Sequence, residues 1–327
     1  MRKLLLSLAV LAAAALVGLA AFFVFSAPRH RPASRETVAR TPERMARGRY
    51  LVEHVLDCNG CHTQRDWSRW GGPMRGARGA GGDCLTGEHG FPGRICGSNI
   101  TMDRETGIGA WTDGEILRAT REGVDREGNA LFPLMPYTEY RALSEEDARA
   151  VLVYLRTLRP VRQAVAETEI DFPVRLFVKL APRDLDGPVP EPDRSDPVRY
   201  GEYLATISGC KFCHTPVDDR NQPVRGRAFA GGQEFRGPWG TVRSSNLTPH
   251  VTGLGERGRE SFIGLFRVYN DPAAAVPAPA GRNTVMPWLS LAGMTDDDLG
   301  AIYEYLLTVP PIENTVERFP PAPKPAA

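Results

Sequence analysis

Apolar residues fall into a few separated stretches whose spacings predict different elements. Residues 4–27 carry no charge, follow Arg2 and Lys3, and include only Ser7 and Ser26 as hydroxyl side chains. As a helix this run would measure about 36 Å, more than the ~30 Å hydrocarbon layer and longer than a usual signal core of ~7–15 residues. The expectation is a membrane helix retained as an anchor, with a cleaved signal as the alternative. Further on, Ser144-Glu145-Glu146-Asp147 and Thr295-Asp296-Asp297-Asp298 are helix-start signals. Each leads into apolar residues at helical spacing: Ala148, Val151, Leu152 and Leu155, then Leu299, Ile302, Tyr303 and Leu306. Residues 174–180 are apolar enough to expect burial between two halves of the chain. Residues 182–197 hold five prolines among charged residues and predict a linker.

The pattern divides the chain into a membrane anchor or signal segment (1–27) and a basic juxtamembrane linker (28–40). A first domain (41–170), an interdomain linker (171–197), a second domain (198–315) and a Pro/Ala tail (316–327) follow. Every periodic segment is helical, so the expected fold class is all-α, twice over, behind the N-terminal membrane helix.

Charge narrows the function. Lys+Arg 40 against Asp+Glu 39 gives a net charge of +1, which excludes nucleic-acid binding through a global basic field. Gly 33 and Pro 28 mark a loop-rich protein with short elements. Residues 29–49 concentrate seven Arg against Glu36 and Glu43, a basic stretch expected near anionic lipid head groups.

Chemistry enters with Cys58-Asn59-Gly60-Cys61-His62 and Cys210-Lys211-Phe212-Cys213-His214. Two thiols one helical turn apart followed by His is the attachment signature of c-type haem: the thiols add to the porphyrin vinyl groups and the imidazole takes the iron. A zinc site would need ligands from both motifs, 152 residues apart, and a redox-active Cys pair needs no adjoining His. The expected cofactors are two haem c groups and their iron.

The two halves also match outside these motifs. Gly48-x-Tyr50-Leu51 pairs with Gly201-x-Tyr203-Leu204, and Ser98-Asn99-Ile100-Thr101 with Ser245-Asn246-Leu247-Thr248. Thr106-Gly107-Ile108-Gly109 pairs with Thr252-Gly253-Leu254-Gly255, and Met135-Pro136-Tyr137 with Met286-Pro287-Trp288. Met135 lies 73 residues after His62, and Met286 lies 72 after His214. Methionine is the usual distal partner of His in electron-transfer cytochromes, which makes His62 with Met135 and His214 with Met286 the expected axial pairs.

On these residues the chain resembles bacterial multihaem cytochrome c subunits of membrane-bound dehydrogenases, such as those serving alcohol or nicotinate dehydrogenases. The resemblance spans roughly residues 41–315. It rests on GRYL before Cys58, SNITMDRETGIGAWTD at 98–113, LMPY at 134–137 and LSEEDARAVLVYLRTL at 143–158. It implies tandem cytochrome c domains of a few short helices around each haem. Electrons would pass from a dehydrogenase catalytic subunit toward a quinone-linked complex or terminal oxidase. Many such alcohol dehydrogenase subunits carry a third haem domain, whereas this sequence has two motifs.

Cys84 and Cys96 belong to neither motif. In an oxidising compartment they are expected to form a disulfide worth about 3 kcal/mol, with a thiolate haem ligand as the sharper alternative. His30, His54, His89 and His250 have no counterpart in the other half, and Trp67 and Trp70 are expected to pack within their Gly-rich loop. The leading function is therefore electron transfer without catalysis, beside the inner membrane with both haem domains on the periplasmic side. The alternatives are a dihaem peroxidase or thiosulfate-oxidising enzyme with one labile axial site, and an anchored cytochrome subunit of a haem–copper oxidase.

Overall fold

The computed structural model describes residues 2–25, 28, 30–271, 276–279 and 282–320, so most of the expected Pro/Ala tail lies outside the described residues. The N-terminal run is helical, α1 (Arg2–Phe25), with exposed leucines. Among the described residues, however, no helix is long and apolar enough to cross a membrane, which corrects the expected membrane helix.

Each half is built on a pair of crossed helices. In the first, α2 (Pro42–Tyr50) packs on α6 (Glu145–Leu155). Between them come α3 (Cys58–His62), strands β1 (Cys84–Leu85) and β2 (Gly93–Cys96), α4 (Asp113–Glu122) and α5 (Tyr137–Tyr140). After the short β3 (Glu169–Ile170) and α7 (Val174–Val178), the second half repeats the plan. It comprises α8 (Pro197–Ile207), α9 (Cys210–His214), β4 (Glu234–Gly237), β5 (Gly240–Arg243), α10 (Arg259–Arg267), α11 (Trp288–Leu291) and α12 (Asp296–Thr308), with α8 packed on α12.

The first repeated motif now has a physical reading, residue by residue. Gly48 and Gly201 sit at the helix crossings: a methyl on Gly48 would lie 2.6 Å from the Ala150 carbonyl carbon, and one on Gly201 3.0 Å from Tyr305 Cβ. Leu51 and Leu204 are completely buried in the core. The tyrosines reach across to the opposite half. Tyr50 donates to Asp298 (2.6 Å) and accepts from the Thr295 amide (3.1 Å). Reciprocally, Tyr203 donates to Asp147 (2.6 Å) and accepts from the Ser144 amide (3.4 Å). Each phenol thus inserts into the N-terminal cap of the other half's last helix, and the two contacts are related by an approximate two-fold.

The strands correct the all-α expectation. β1, β2 and β3 form an antiparallel three-stranded sheet, and β4 and β5 a hairpin closed by Pro238-Trp239. Elements of two to four residues are too short to carry a period-2 signal. Gly240 supplies the positive φ that the tight turn requires.

The segment read as a juxtamembrane linker is folded onto the first half. Val38 donates its amide to Asp113 (2.9 Å), and Arg31 pairs with the buried Glu122 (2.7 Å). Arg44 and Arg47 pair with Glu146 and Asp147, so these cations are committed internally. Nor are residues 174–180 buried between the halves. Phe177 and Leu180 are about half exposed, and only Val178 of α7 is buried.

Candidate haem sites

Both Cys-x-x-Cys-His motifs form one-turn helices entered from a left-handed residue, Asp57 (φ 49°) before α3 and Gly209 (φ 69°) before α9. One turn puts the two thiols of each motif on the same face. The first half has one more residue than the second between its motif tyrosine and its first haem cysteine. A π-turn over Leu51–Val55 absorbs it, with the Leu56 amide donating to Leu51 O (2.8 Å). Tyr50 and Cys58 thereby keep the relation that Tyr203 and Cys210 have.

The histidines are oriented identically. His62 Nδ1 lies 2.7 Å from Ser98 O, and His214 Nδ1 lies 2.7 Å from Ser245 O. A carbonyl can only accept, so Nδ1 carries the proton and donates, leaving the Nε2 lone pair for a ligand. Burial holds the pKa of both imidazoles down, that of His214 to about 4, so both rings are neutral at pH 7.

The serine carbonyls are held in place by the next residues of the repeat. Asn99 Oδ1 accepts from the Thr101 amide (2.9 Å) and hydroxyl (2.7 Å), while its Nδ2 donates to Val161 O (2.8 Å). Asn246 repeats this with the Thr248 amide (2.9 Å), the Thr248 hydroxyl (2.8 Å) and Ile312 O (2.8 Å). Along the chain these residues stand out only as a repeat, and the repetition is the one signal of this bracing role.

The four haem-motif thiols are free. Burial pushes Cys58, Cys210 and Cys213 up to about 12 and Cys61 to about 11, so all are thiols rather than thiolates at neutral pH. Met135 and Met286 are part-buried against the core, each followed by Pro and a one-turn helix, α5 or α11. Tyr140 of α5 donates to Leu56 O (2.7 Å), fastening the segment after Met135 over the entry to α3. Neutral imidazole, thioether and paired protonated thiols are the donor types that a haem c takes, thiols for attachment and imidazole and thioether for the iron.

Cys84 and Cys96 face each other across β1 and β2 and form a disulfide. It pins a long connection where the second half needs only the two-residue turn between β4 and β5. Trp67 and Trp70 extend beyond their own loop onto the second half: Trp67 packs on Trp239 (4.5 Å between centroids), and Trp70 Nε1 donates to Tyr269 (3.1 Å). His54 meets Ser290 O (3.1 Å) across the same interface.

The chain is 29% identical over 309 residues to the cytochrome c subunit of a quinone-dependent alcohol dehydrogenase from Gluconacetobacter polyoxogenes, covering 88% of this chain and 61% of the relative. It thus spans about three fifths of the length of that relative. It is 32% identical over 269 residues to a nicotinate dehydrogenase subunit of Pseudomonas putida, covering 80% of this chain and 21% of that protein. Against a diheme cytochrome c-type protein of Cereibacter sphaeroides it is 30% identical over 262 residues, covering 78% and 83%. No family model matches the chain.

Proposed function

The chain belongs to the dihaem c-type cytochrome family, and on that premise we propose that it binds two haems c and passes single electrons from a dehydrogenase catalytic subunit toward a quinone-linked complex or terminal oxidase. Haem attachment outside the cytoplasm and the Cys84–Cys96 disulfide support a periplasmic site of action. In this reading residues 41–170 and 198–315 are two haem domains. Cys58, Cys61, Cys210 and Cys213 would attach the groups, and His62 with Met135 and His214 with Met286 would ligate the iron of each.

The observation that carries the reading is the duplicated histidine geometry. Twice, a Cys-x-x-Cys-His turn presents a neutral imidazole whose Nδ1 proton is held by a serine carbonyl, itself braced by an Asn–Thr network. Bound haem supplies a one-electron couple whose potential a thioether ligand raises. The histidines' part would be to offer Nε2 to the iron, with Nδ1 held by the serine carbonyl. The Tyr50 and Tyr203 latches keep the two sites in one relative orientation.

The test is an optical spectrum of the reduced protein before and after carbon monoxide, with a pyridine haemochrome count. Two haems per chain and an unchanged spectrum are expected. A shift at either haem would mean that Met135 or Met286 does not hold the sixth position, and the carrier reading would fail.

A further inference from the structure

Met286 lies between two anchors that belong to the other half of the chain. Three residues before it, the buried Asn283 uses every hydrogen-bonding group of its side chain. Its Nδ2 donates to Trp67 O and Arg69 O (2.9 Å each), and its Oδ1 accepts from the Gly71 amide (2.8 Å) and the Thr284 amide (2.7 Å). Trp67, Arg69 and Gly71 belong to the loop that follows the first attachment turn. Four residues after Met286, Ser290 donates its hydroxyl to Asp57, the residue before Cys58, and its carbonyl accepts from His54. Gly293 completes this second anchor, since a methyl there would run into the His54 ring.

The chain between the anchors has little slack. The Met286 amide donates to Thr284 Oγ1 (3.1 Å), the Trp288 amide to Met286 O (2.8 Å) and the Leu291 amide to Pro287 O (2.9 Å). Movement of loop 67–71 or of the turn at His54 and Asp57 is therefore passed on to the Met286 backbone. Such movement is resisted, because a buried amide or carbonyl parted from its partner has no water to replace it. The first half is not built this way. Phe132 stands three residues before Met135, and a phenyl ring cannot bond a neighbouring loop as Asn283 does. Among the described residues, the segment 131–142 makes its hydrogen bonds within its own half and to the linker, where Arg141 donates to the Arg183 and Asp184 carbonyls.

We propose that the first half seats the sixth ligand of the second centre: Asn283 and Ser290 are positioning residues that hold the Met286 segment against loop 67–71 and the turn at His54 and Asp57. Met286 then stays on its iron only while those parts of the first half are in place. The dependence runs one way, since the Met135 segment has no such anchors in the second half. The inference rests on the dihaem reading above and concerns which residues secure one of its ligands.

The experiment is the entry of added imidazole into the ferric holoprotein, followed through the weak long-wavelength band that a thioether ligand gives ferric haem. In a Met135→His background that band comes from Met286 alone, and in a Met286→His background from Met135 alone. Asn283→Asp keeps the acceptor but turns a carboxylate toward the Trp67 and Arg69 carbonyls. With two donations lost, imidazole entry at the second centre should quicken by about tenfold or more. Ser290→Ala should act in the same direction, and it tests the other anchor if Asn283→Asp does not load haem. Tyr203→Phe cuts a cross-half hydrogen bond away from the Met286 segment and serves as the control; it should leave the rate at the second centre in place. Asn283→Asp should likewise leave the rate at the first centre in place. An unchanged rate in a loaded anchor variant, or an equal acceleration by Tyr203→Phe or at the first centre, overturns the anchoring while leaving the dihaem reading intact. Absence of the thioether band in the Met135→His background defeats the Met286 ligation within that reading, and the anchoring with it.

Discussion

Replacing Gly48 by Ala puts a single methyl group where two helices cross. The added carbon would lie 2.6 Å from the Ala150 carbonyl carbon and 2.9 Å from Tyr154 Cβ, against the 3.4–4 Å of ordinary contact. Helix α2 must therefore retreat from α6 by roughly 1 Å, and a backbone carbonyl cannot rotate aside as a side chain can. Ala gains about 1 kcal/mol over Gly in helix propensity, while overpacking costs about 1–3 kcal/mol for far softer obstacles. The net expectation is a loss of about 2 kcal/mol, with the same sign for Gly201→Ala, whose methyl would meet the Ala301 carbonyl and Tyr305. Gly264 in α10 has nothing within 4 Å of its would-be methyl, so Gly264→Ala should instead gain up to about 1 kcal/mol. Guanidinium unfolding of the three holoprotein variants, followed by circular dichroism, reads the contrast. If Gly48→Ala and Gly201→Ala stabilise as Gly264→Ala does, the close helix crossing is not what the repeated glycine serves.

Other consequences can be checked alongside. Asn99→Ala and Asn246→Ala each strip the brace from a histidine-orienting carbonyl. Each should cost about 2–4 kcal/mol and broaden the haem spectrum of its own half, visible in the α-band at low temperature. Tyr203→Phe leaves the buried Asp147 one donor short, and a loss of about 1–2 kcal/mol is expected; no change on unfolding would remove the latch from the interface. Reducing Cys84–Cys96, or replacing both by Ser, should lower first-half stability by about 3 kcal/mol and leave the second half's hydrogen-exchange protection unchanged. Burial alone would raise the pKa of Asp147, but the paired Arg47 and the Tyr203 hydroxyl hold it below the ordinary value. A carboxyl depressed in the folded state adds stability that is complete above its unfolded pKa of about 3.9 and lost as the pH falls through the folded one. Arg47→Gln should accordingly move the acid-unfolding midpoint to higher pH.

The two Cys-x-x-Cys-His motifs were legible because c-type haem attachment calls for fixed residue types at a fixed short spacing, and the paired methionines because the two halves repeat them at nearly equal offsets. The last helix of each half was legible from its cap and its apolar period. The strands were not, being shorter than any period that could announce them, and the two-residue turn at Pro238-Trp239 was the only cue. Part of the basic stretch at 29–49 was illegible for another reason: Arg31, Arg44 and Arg47 look free along the chain, but their carboxylate partners Glu122, Glu146 and Asp147 stand about 90–100 residues away.

What the sequence by itself determined is a duplicated pattern, two Cys-x-x-Cys-His motifs with matching repeats around them, on which the proposed haem c chemistry rests. Tertiary structure alone decided how the halves are joined, since Tyr50 and Tyr203 find their partners 248 and 56 residues away, through helix caps of the opposite half. It alone also broke the symmetry of the two sites. Among the described residues the buried Trp288 indole N–H has no acceptor, whereas Tyr137 at the matching place has Leu131 O, and that difference shows only in space, because the cost of a buried donor depends on its neighbours and not on its place in the chain.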